Sequence, residues 1–180
     1  MGKKRSQIWG NHLSNPPDEQ NVLFCAGRDV HDIPMADQIL LPFDIWTNRA
    51  HCIMLHKQEI ISANCLEKIL TGLGKLENLV EEGDFALDPE KEDVHINVED
   101  FVTEDQGPDA GGRMHIGRSR NDQTACDMRL YLRSSCLKLF FAVKKFASAL
   151  LLQAEENAES VMPGFTHYQP AMVTSWGHWL

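Results

Sequence analysis

Between Ser62 and Gly83, Leu66, Ile69, Leu70, Leu73, Leu76 and Val80 recur at intervals of three and four residues. That period predicts a helix with one buried face. Ser62 stands where an N-cap hydroxyl is wanted, and Gly83 where a left-handed residue ends the helix. An earlier helix is predicted over 44–58, just after Pro42, whose missing N–H falls among amides that a helix start leaves unpaired. A shorter helix follows the polar stretch 84–92, with Val94, Val98, Phe101 and Val102 turned inward. Gly107-Pro108 and Gly111-Gly112 break it into a loop.

From Asn121 to about Ser160 the chain contains neither Gly nor Pro. Ala125, Met128, Leu132, Leu139, Ala142, Phe146 and Ala149 form a near-heptad stripe, predicting one helix of roughly 40 residues, about 60 Å long. A second line, Leu130, Leu137, Phe141 and Leu152, makes it apolar on more than one side. Such a helix needs neighbours on several faces. Pro163-Gly164 ends it, and 170–180 reads as the start of another helix. Residues 1–41 show weak periodicity and are expected to be largely irregular, with a turn at Asn15-Pro16-Pro17-Asp18. No strand alternation of useful length occurs. The pattern predicts an all-α chain: a small N-terminal helical domain over 1–114, then over 115–180 the first long helix of a central helical bundle. The bundle is expected to be incomplete, because Trp176, Trp179 and Leu180 are left with little chain to cover them.

Hydrophobic residues make up 43% and charged residues 24% of the 180, a globular balance. The net charge of −9 argues against a general nucleic-acid binder. The apolar runs 137–141 and 147–152 fall far short of the ~20 residues that span a bilayer, so no membrane partner is expected. Five cysteines, Cys25, Cys52, Cys65, Cys126 and Cys136, form no C-x-x-C pair. They are expected to be reduced thiols of a cytoplasmic chain, four of them on helices as small buried hydrophobes. Lys3-Lys4-Arg5 is not followed by an apolar stretch, so it is no secretory signal. Met1-Gly2 with Ser6 loosely fits a myristoylation pattern, which is read as a frayed basic terminus.

Three polar clusters could carry chemistry. His115-Ile-Gly-Arg118-Ser119-Arg120-Asn121-Asp122-Gln123 leads into the long helix, whose free amides and partial positive charge suit a carboxylate or phosphate. Arg118 and Arg120 could hold an anion in bidentate fashion, with Ser119 and Asn121 as neutral partners. The bland alternative is ordinary surface ion pairs with Asn121 or Asp122 as a cap. Thr166 and His167, in Pro163-Gly-Phe-Thr-His-Tyr-Gln169-Pro170, offer a hydroxyl and an imidazole that titrates near neutral pH. A lone His is more often structural than catalytic. His95 and Glu99, at i,i+4, are expected to form a structural hydrogen-bond pair. No third ligand at recognisable spacing supports a metal there.

In this order the clusters resemble the fumarase/aspartase superfamily, and within it the argininosuccinate lyases. Gly112-Arg-Met-His-Ile-Gly-Arg-Ser-Arg-Asn-Asp-Gln123, followed by Asp127-Met-Arg-Leu-Tyr-Leu-Arg133, is similar to the family's G-K-L-H-T-G-R-S-R-N-D-Q and D-x-R-L-x-x-R. Pro163-Gly-Phe-Thr-His-Tyr-Gln169 resembles P-G-Y-T-H-x-Q, and Glu92-Asp-Val-His95 and Asn48-Arg-Ala-His51 agree as well. Ile8-Trp9-Gly10 matches the family's opening only in part. The resemblance implies a homotetramer around long helices, with each site assembled from three chains. It implies that Ser119, Arg120, Asn121 and Thr166 bind substrate, and that His167 takes part in proton transfer with a serine on a G-S-S-x-M-P loop. That loop is absent from these residues. The N-terminal substrate-contacting serine has no clear counterpart, since Cys25-Ala-Gly-Arg28 and Asp32-Ile-Pro stand in its place.

The implied reaction is reversible β-elimination of the small molecule argininosuccinate to arginine and fumarate, as in arginine biosynthesis, with no metal or organic cofactor. The chain is expected to be part of such an enzyme and inactive alone. Two other readings stay open: a non-catalytic, crystallin-like structural or assembly paralogue, and a related lyase on another carboxylated amine.

Overall fold

In the computed structural model, residues 18–27 and 34–180 are described. They fall into two compact units, Met1–Tyr131 and Leu132–Leu180. The turn read at 15–17, the basic terminus with its myristoylation-like pattern, and Ile8-Trp9-Gly10 lie outside the described residues. The same holds for Arg28 and Asp32-Ile33.

The first unit is built on a trio of helices, α2 (Leu41–Lys57), α3 (Ala63–Glu82) and α4 (Val94–Gln106), that pack on one another. Two short turns precede them in the stretch read as irregular, α1 (Glu19–Cys25), capped by Asp18, and a 3-10 turn over Ala36–Leu40. The expected punctuation is in place. Pro42 sits in the first turn of α2, Ser62 Oγ accepts from the Cys65 amide, and Gly83 ends α3 at φ 80°. Asp93 caps α4 by accepting from the Ile96 amide.

The stripe of α3 is buried as its spacing requires, with Ile69, Leu73 and Leu76 fully enclosed. They meet Leu41, Ile45, Cys52 and Leu55 of α2 and Val94, Val98 and Val102 of α4 in one core. Each fully buried aliphatic side chain of this kind stabilises the unit by about 1.5–3 kcal/mol. Bidentate hydrogen bonds from Arg49 to Glu77 (2.9 and 2.7 Å) tie α2 to α3, and Lys75 to Asp105 (2.8 Å) ties α3 to α4.

The 107–112 segment read as a loop holds a short helix, α5 (Pro108–Gly111). It lies so close to α4 that a Cβ on Gly111 would stand 2.8 Å from the Glu99 carbonyl oxygen. Only glycine fits there. Gly117, at φ 70°, then turns the chain towards the long helix α6 (Arg120–Glu156). Phe43 of α2 meets Tyr131 of α6 edge-on, with ring centres 6.1 Å apart.

Leu132–Leu180 holds the rest of α6 and an antiparallel hairpin, β1 (Val161–Thr166) and β2 (Gln169–Ser175), followed by a single turn, α7 (Trp176–Trp179). The helix expected over 170–180 is therefore a strand for most of its length. Val161, Met162, Phe165 and Val173 suit extended backbone, and Pro163 and Pro170 could not serve in a helix interior. The chain remains all-α in class, with this hairpin as its one small sheet among the described residues.

Candidate functional site

The start of α6 is built by reciprocal capping. Ser119 Oγ accepts from the Asn121 amide at 3.2 Å, and Asp122 accepts from the Ser119 amide at 3.1 Å. Ser119 is thus the cap, with Asp122 closing a capping box three residues on. This leaves Ser119 and Asn121 exposed and Arg120 partly so. Arg120 Nη1 donates to Asp93 Oδ1 at 3.2 Å.

Arg118 departs from its expected role. It does not stand beside Arg120 at an open anion site; it reaches inward, and Nη2 donates to Asn48 Oδ1. Its Nε and Nη1 are buried without a hydrogen-bond partner. Asn48, fully enclosed on α2, donates in turn to Asp44 Oδ2 at 2.8 Å.

Behind this arginine lies a buried polar cluster. Asp44 Oδ1 accepts from Gln123 Nε2 at 2.6 Å and from His95 Nδ1 at 2.8 Å. His95 Nε2 meets Thr124 Oγ1 at 3.0 Å. Thr47 donates its hydroxyl to Asp127 Oδ1. Asp44 and Asp127 are fully enclosed and His95 is 5% exposed. His95 therefore has Asp44 and Thr124 as partners, not the expected Glu99. In sequence, Asp44 reads only as a polar position on a helix, and Asp127 only as the opening of the D-x-R-L-x-x-R-like run, with no role assigned to either. The i,i+4 spacing of Gln123 and Asp127 on α6 is the signal that could have paired them.

Burial pushes the His95 imidazole towards neutrality, but its bond to Asp44 and the charges of Asp44, Asp93 and Asp127 outweigh that and hold it above its ordinary value. Burial also drives Asp127 up, to about 7, with the nearby Asp44 charge adding to it against the Thr47 hydrogen bond. Asp44, His95 and Asp127 bring three ligand-type atoms within 4.8 Å of one another. Two atoms bound to one zinc at about 2.0 Å in tetrahedral geometry would stand ~3.3 Å apart. The 2.8 Å between His95 and Asp44 is a hydrogen bond.

His51 and His115 flank the turn before α6. His51 Nε2 donates to the Ile116 carbonyl at 2.9 Å. Burial, first, and the Arg118 charge lower both imidazoles, against the Ile116 bond at His51 and with Arg120 adding at His115.

Thr166 and His167 belong to the second unit, where both are exposed. They lead into the two-residue turn of the hairpin, in which Thr166 pairs with Gln169. His167 and Tyr168 both have positive φ, 49° and 61°, the signature of a type I′ turn usually made by Asn-Gly. The site residues thus fall into two groups, Ser119, Arg120 and Asn121 on one unit and Thr166 and His167 on the other.

The chain belongs to the lyase family, whose sequence profile matches residues 35–180. It is 42% identical over 172 residues to an argininosuccinate lyase of Thiobacillus denitrificans, and 39% identical over 172 residues to one of Oceanobacillus iheyensis. Both alignments cover 96% of this chain and 36% of the relative, so the chain spans about a third of their length. Among solved structures it is similar to an EDDS lyase variant with bound fumarate, at a TM-score of 0.62 and 29% identity over 78% of this chain and 27% of that one.

Proposed function

We propose that this chain supplies part of an argininosuccinate lyase, which eliminates fumarate from argininosuccinate and releases arginine in the cytoplasm. The observation that carries the reading is the 112–123 run, which supplies the capped start of α6 with Ser119 and Asn121 facing outward. The relatives named argininosuccinate lyase, about 40% identical across nearly the whole chain, support it.

The elimination removes a proton from the carbon beside a carboxylate and expels a guanidinium nitrogen. It needs a base, an acid for the leaving nitrogen and donors for the charge that develops on the carboxylate. Ser119, Arg120, Asn121 and Thr166 are the substrate contacts, and His167 handles a proton on its exposed turn. The exposed Leu137, Leu139, Phe140, Phe141, Phe146 and Leu151 of α6 exceed the apolar area a monomer tolerates, which supports burial by further copies in a homotetramer.

The test uses the natural-length gene product and follows fumarate release from argininosuccinate. We expect turnover, a fall of ~100-fold or more in kcat for His167→Asn, and a rise in KM for Asn121→Ala. The likeness to EDDS lyase favours one other reading, a lyase acting on a different amino-carboxylate. Fumarate release from such a compound but none from argininosuccinate would establish that reading instead.

A further inference from the structure

We propose that Asp127 is the positioning residue for the start of α6, and that it acts as a neutral carboxylic acid whose proton is shared within the buried Asp44 cluster.

The argument starts from counting donors. An ionised carboxylate accepts hydrogen bonds at both oxygens and is costly to bury without them. Asp44 meets that need, since Asn48, Gln123 and His95 all donate to it. Asp127 does not. Thr47 serves Oδ1, while Oδ2 is buried with no partner. No donor stands within hydrogen-bond reach of Oδ2. His95 Nδ1 is 3.8 Å away and bonded to Asp44, His95 Nε2 faces Thr124, Arg118 Nη2 serves Asn48, and Arg118 Nε and Nη1, themselves buried without partners, do not reach it.

Gln123 Oε1 is a second buried acceptor without a donor. Gln123 and Asp127 are four residues apart on α6 and so share a face. A proton on Asp127 Oδ2 turns one of these acceptors into a donor, and Asp44 or Gln123 Oε1 can receive it.

The groups facing Asp127 are Asp44 on α2, His95 on α4 with Asp93 behind it, and Arg118 ahead of α6. Burial and the Asp44 charge raise its pKa to about 7, in keeping with the donor count. Above that value a second carboxylate charge appears beside Asp44, and repulsion between the two loosens the seat of the first turns of α6 on α2. Ser119 and Asn121 sit at the end of those turns. That last step rests on the functional reading above; the buried proton does not.

Infrared difference spectra of the natural-length protein without substrate, from about pH 5 to about pH 9, read the proton directly. We expect one buried carboxylic-acid carbonyl band that survives well above the ordinary carboxylate range, fades near neutral pH and is missing from Asp127→Asn. Selective labelling of aspartate carboxyl carbons shows that the band is an aspartate's, and its shift in Thr47→Val or in Asp127→Glu assigns it to Asp127 if the Asn variant does not fold. Absence of the band, as for an ionised Asp127 satisfied by Arg118 or water, overturns the proposal, and so does retention of one divalent cation per chain. The positioning step is read from kcat/KM against pH. An alkaline fall in the wild type that is shallower in Asp127→Asn supports it; parallel profiles overturn it. A carboxylic-acid band in a protein that turns over no argininosuccinate supports the buried proton and overturns the functional reading alone.

Discussion

Arg120 Nη1 donates to Asp93 Oδ1 at 3.2 Å, and the same oxygen caps α4 by accepting from the Ile96 amide at 2.7 Å. One carboxylate therefore ends one helix and steadies the first residue of another. Replacing Asp93 removes the cap and leaves Arg120 free to swing. Asp93→Ala is expected to cost about 1 kcal/mol of stability through the cap. Asp93→Asn keeps a capping side chain and loses only the charge. Denaturant titration of both variants should rank Ala below Asn, whereas on the proposed reading the KM for argininosuccinate rises in both. Equal stability of Ala and wild type would show that the cap contributes nothing.

Arg118 makes the opposite use of a guanidinium, buried against Asn48 with Asp44 and Asp127 as the nearest charges. Arg118→Met fills similar space but leaves Asn48 Oδ1 without its donor and Asp44 without the Arg118 counter-charge. Breaking a buried charge arrangement in this way costs about 3–5 kcal/mol. We expect a loss of that order in denaturant unfolding, far above the change from Arg113→Met on the exposed side of the same segment. A loss no larger than that of Arg113→Met would mean that water already screens the cluster.

Much of this arrangement was legible in the chain. The α3 stripe, its Ser62 and Gly83 ends and the length of α6 follow from local rules that act within a few residues. Arg118 and His95 were misread because their partners lie 70 and 51 positions away in sequence. An arginine next to Ser119 and Arg120 looks like a surface ligand until α2 is folded beside it. The hairpin over 161–175 was missed for a different reason. Its turn is made by His167 and Tyr168, which carry none of the Asn-Gly chemistry by which such turns are recognised. The cysteines divide likewise. Cys52 and Cys65 are buried as expected, while Cys126 and Cys136 share a helix with apolar residues yet lie exposed.

Cys52 provides a direct reading of core integrity. Burial, set against the Arg118 charge, raises its thiol to about 12, so almost no thiolate exists at neutral pH. Alkylation followed by peptide mass mapping should leave Cys52 unmodified in the native protein and modify it only after denaturant is added. Modification of Cys52 at the rate of a free thiol in native buffer would contradict the packing of α2 against α3.

His51 and His115 contribute an acid-sensitive part of the stability. Both imidazoles are held below their ordinary value, chiefly by burial and then by Arg118. Above about pH 6.5 both folded and unfolded chains keep them neutral, and their contribution is complete. As pH falls below that value the unfolded chain takes up protons first at these two sites, so their contribution is lost towards acid, while His95 and Asp127, held above their ordinary values, act in the opposite sense. In thermal unfolding between about pH 7 and pH 5, His51→Gln and His115→Gln should gain stability relative to the wild type as the pH falls. Parallel curves would place the acid-sensitive part elsewhere.

The His167–Tyr168 turn tests how the second unit holds its imidazole. Left-handed backbone at a non-glycine residue costs on the order of 1 kcal/mol, and more for a β-branched side chain. Tyr168→Asn should relieve part of that cost, because Asn tolerates φ near 60°, while Tyr168→Val should add to it. Tyr168 itself is fully exposed, so little packing is lost in either change. Hydrogen exchange at the strand amides flanking the turn is the readout. Protection should rise or hold in Asn and fall in Val, and in the natural-length enzyme kcat should follow the same order if the turn fixes His167. Equal exchange and equal kcat in the two variants would show that the turn conformation is not what places the imidazole.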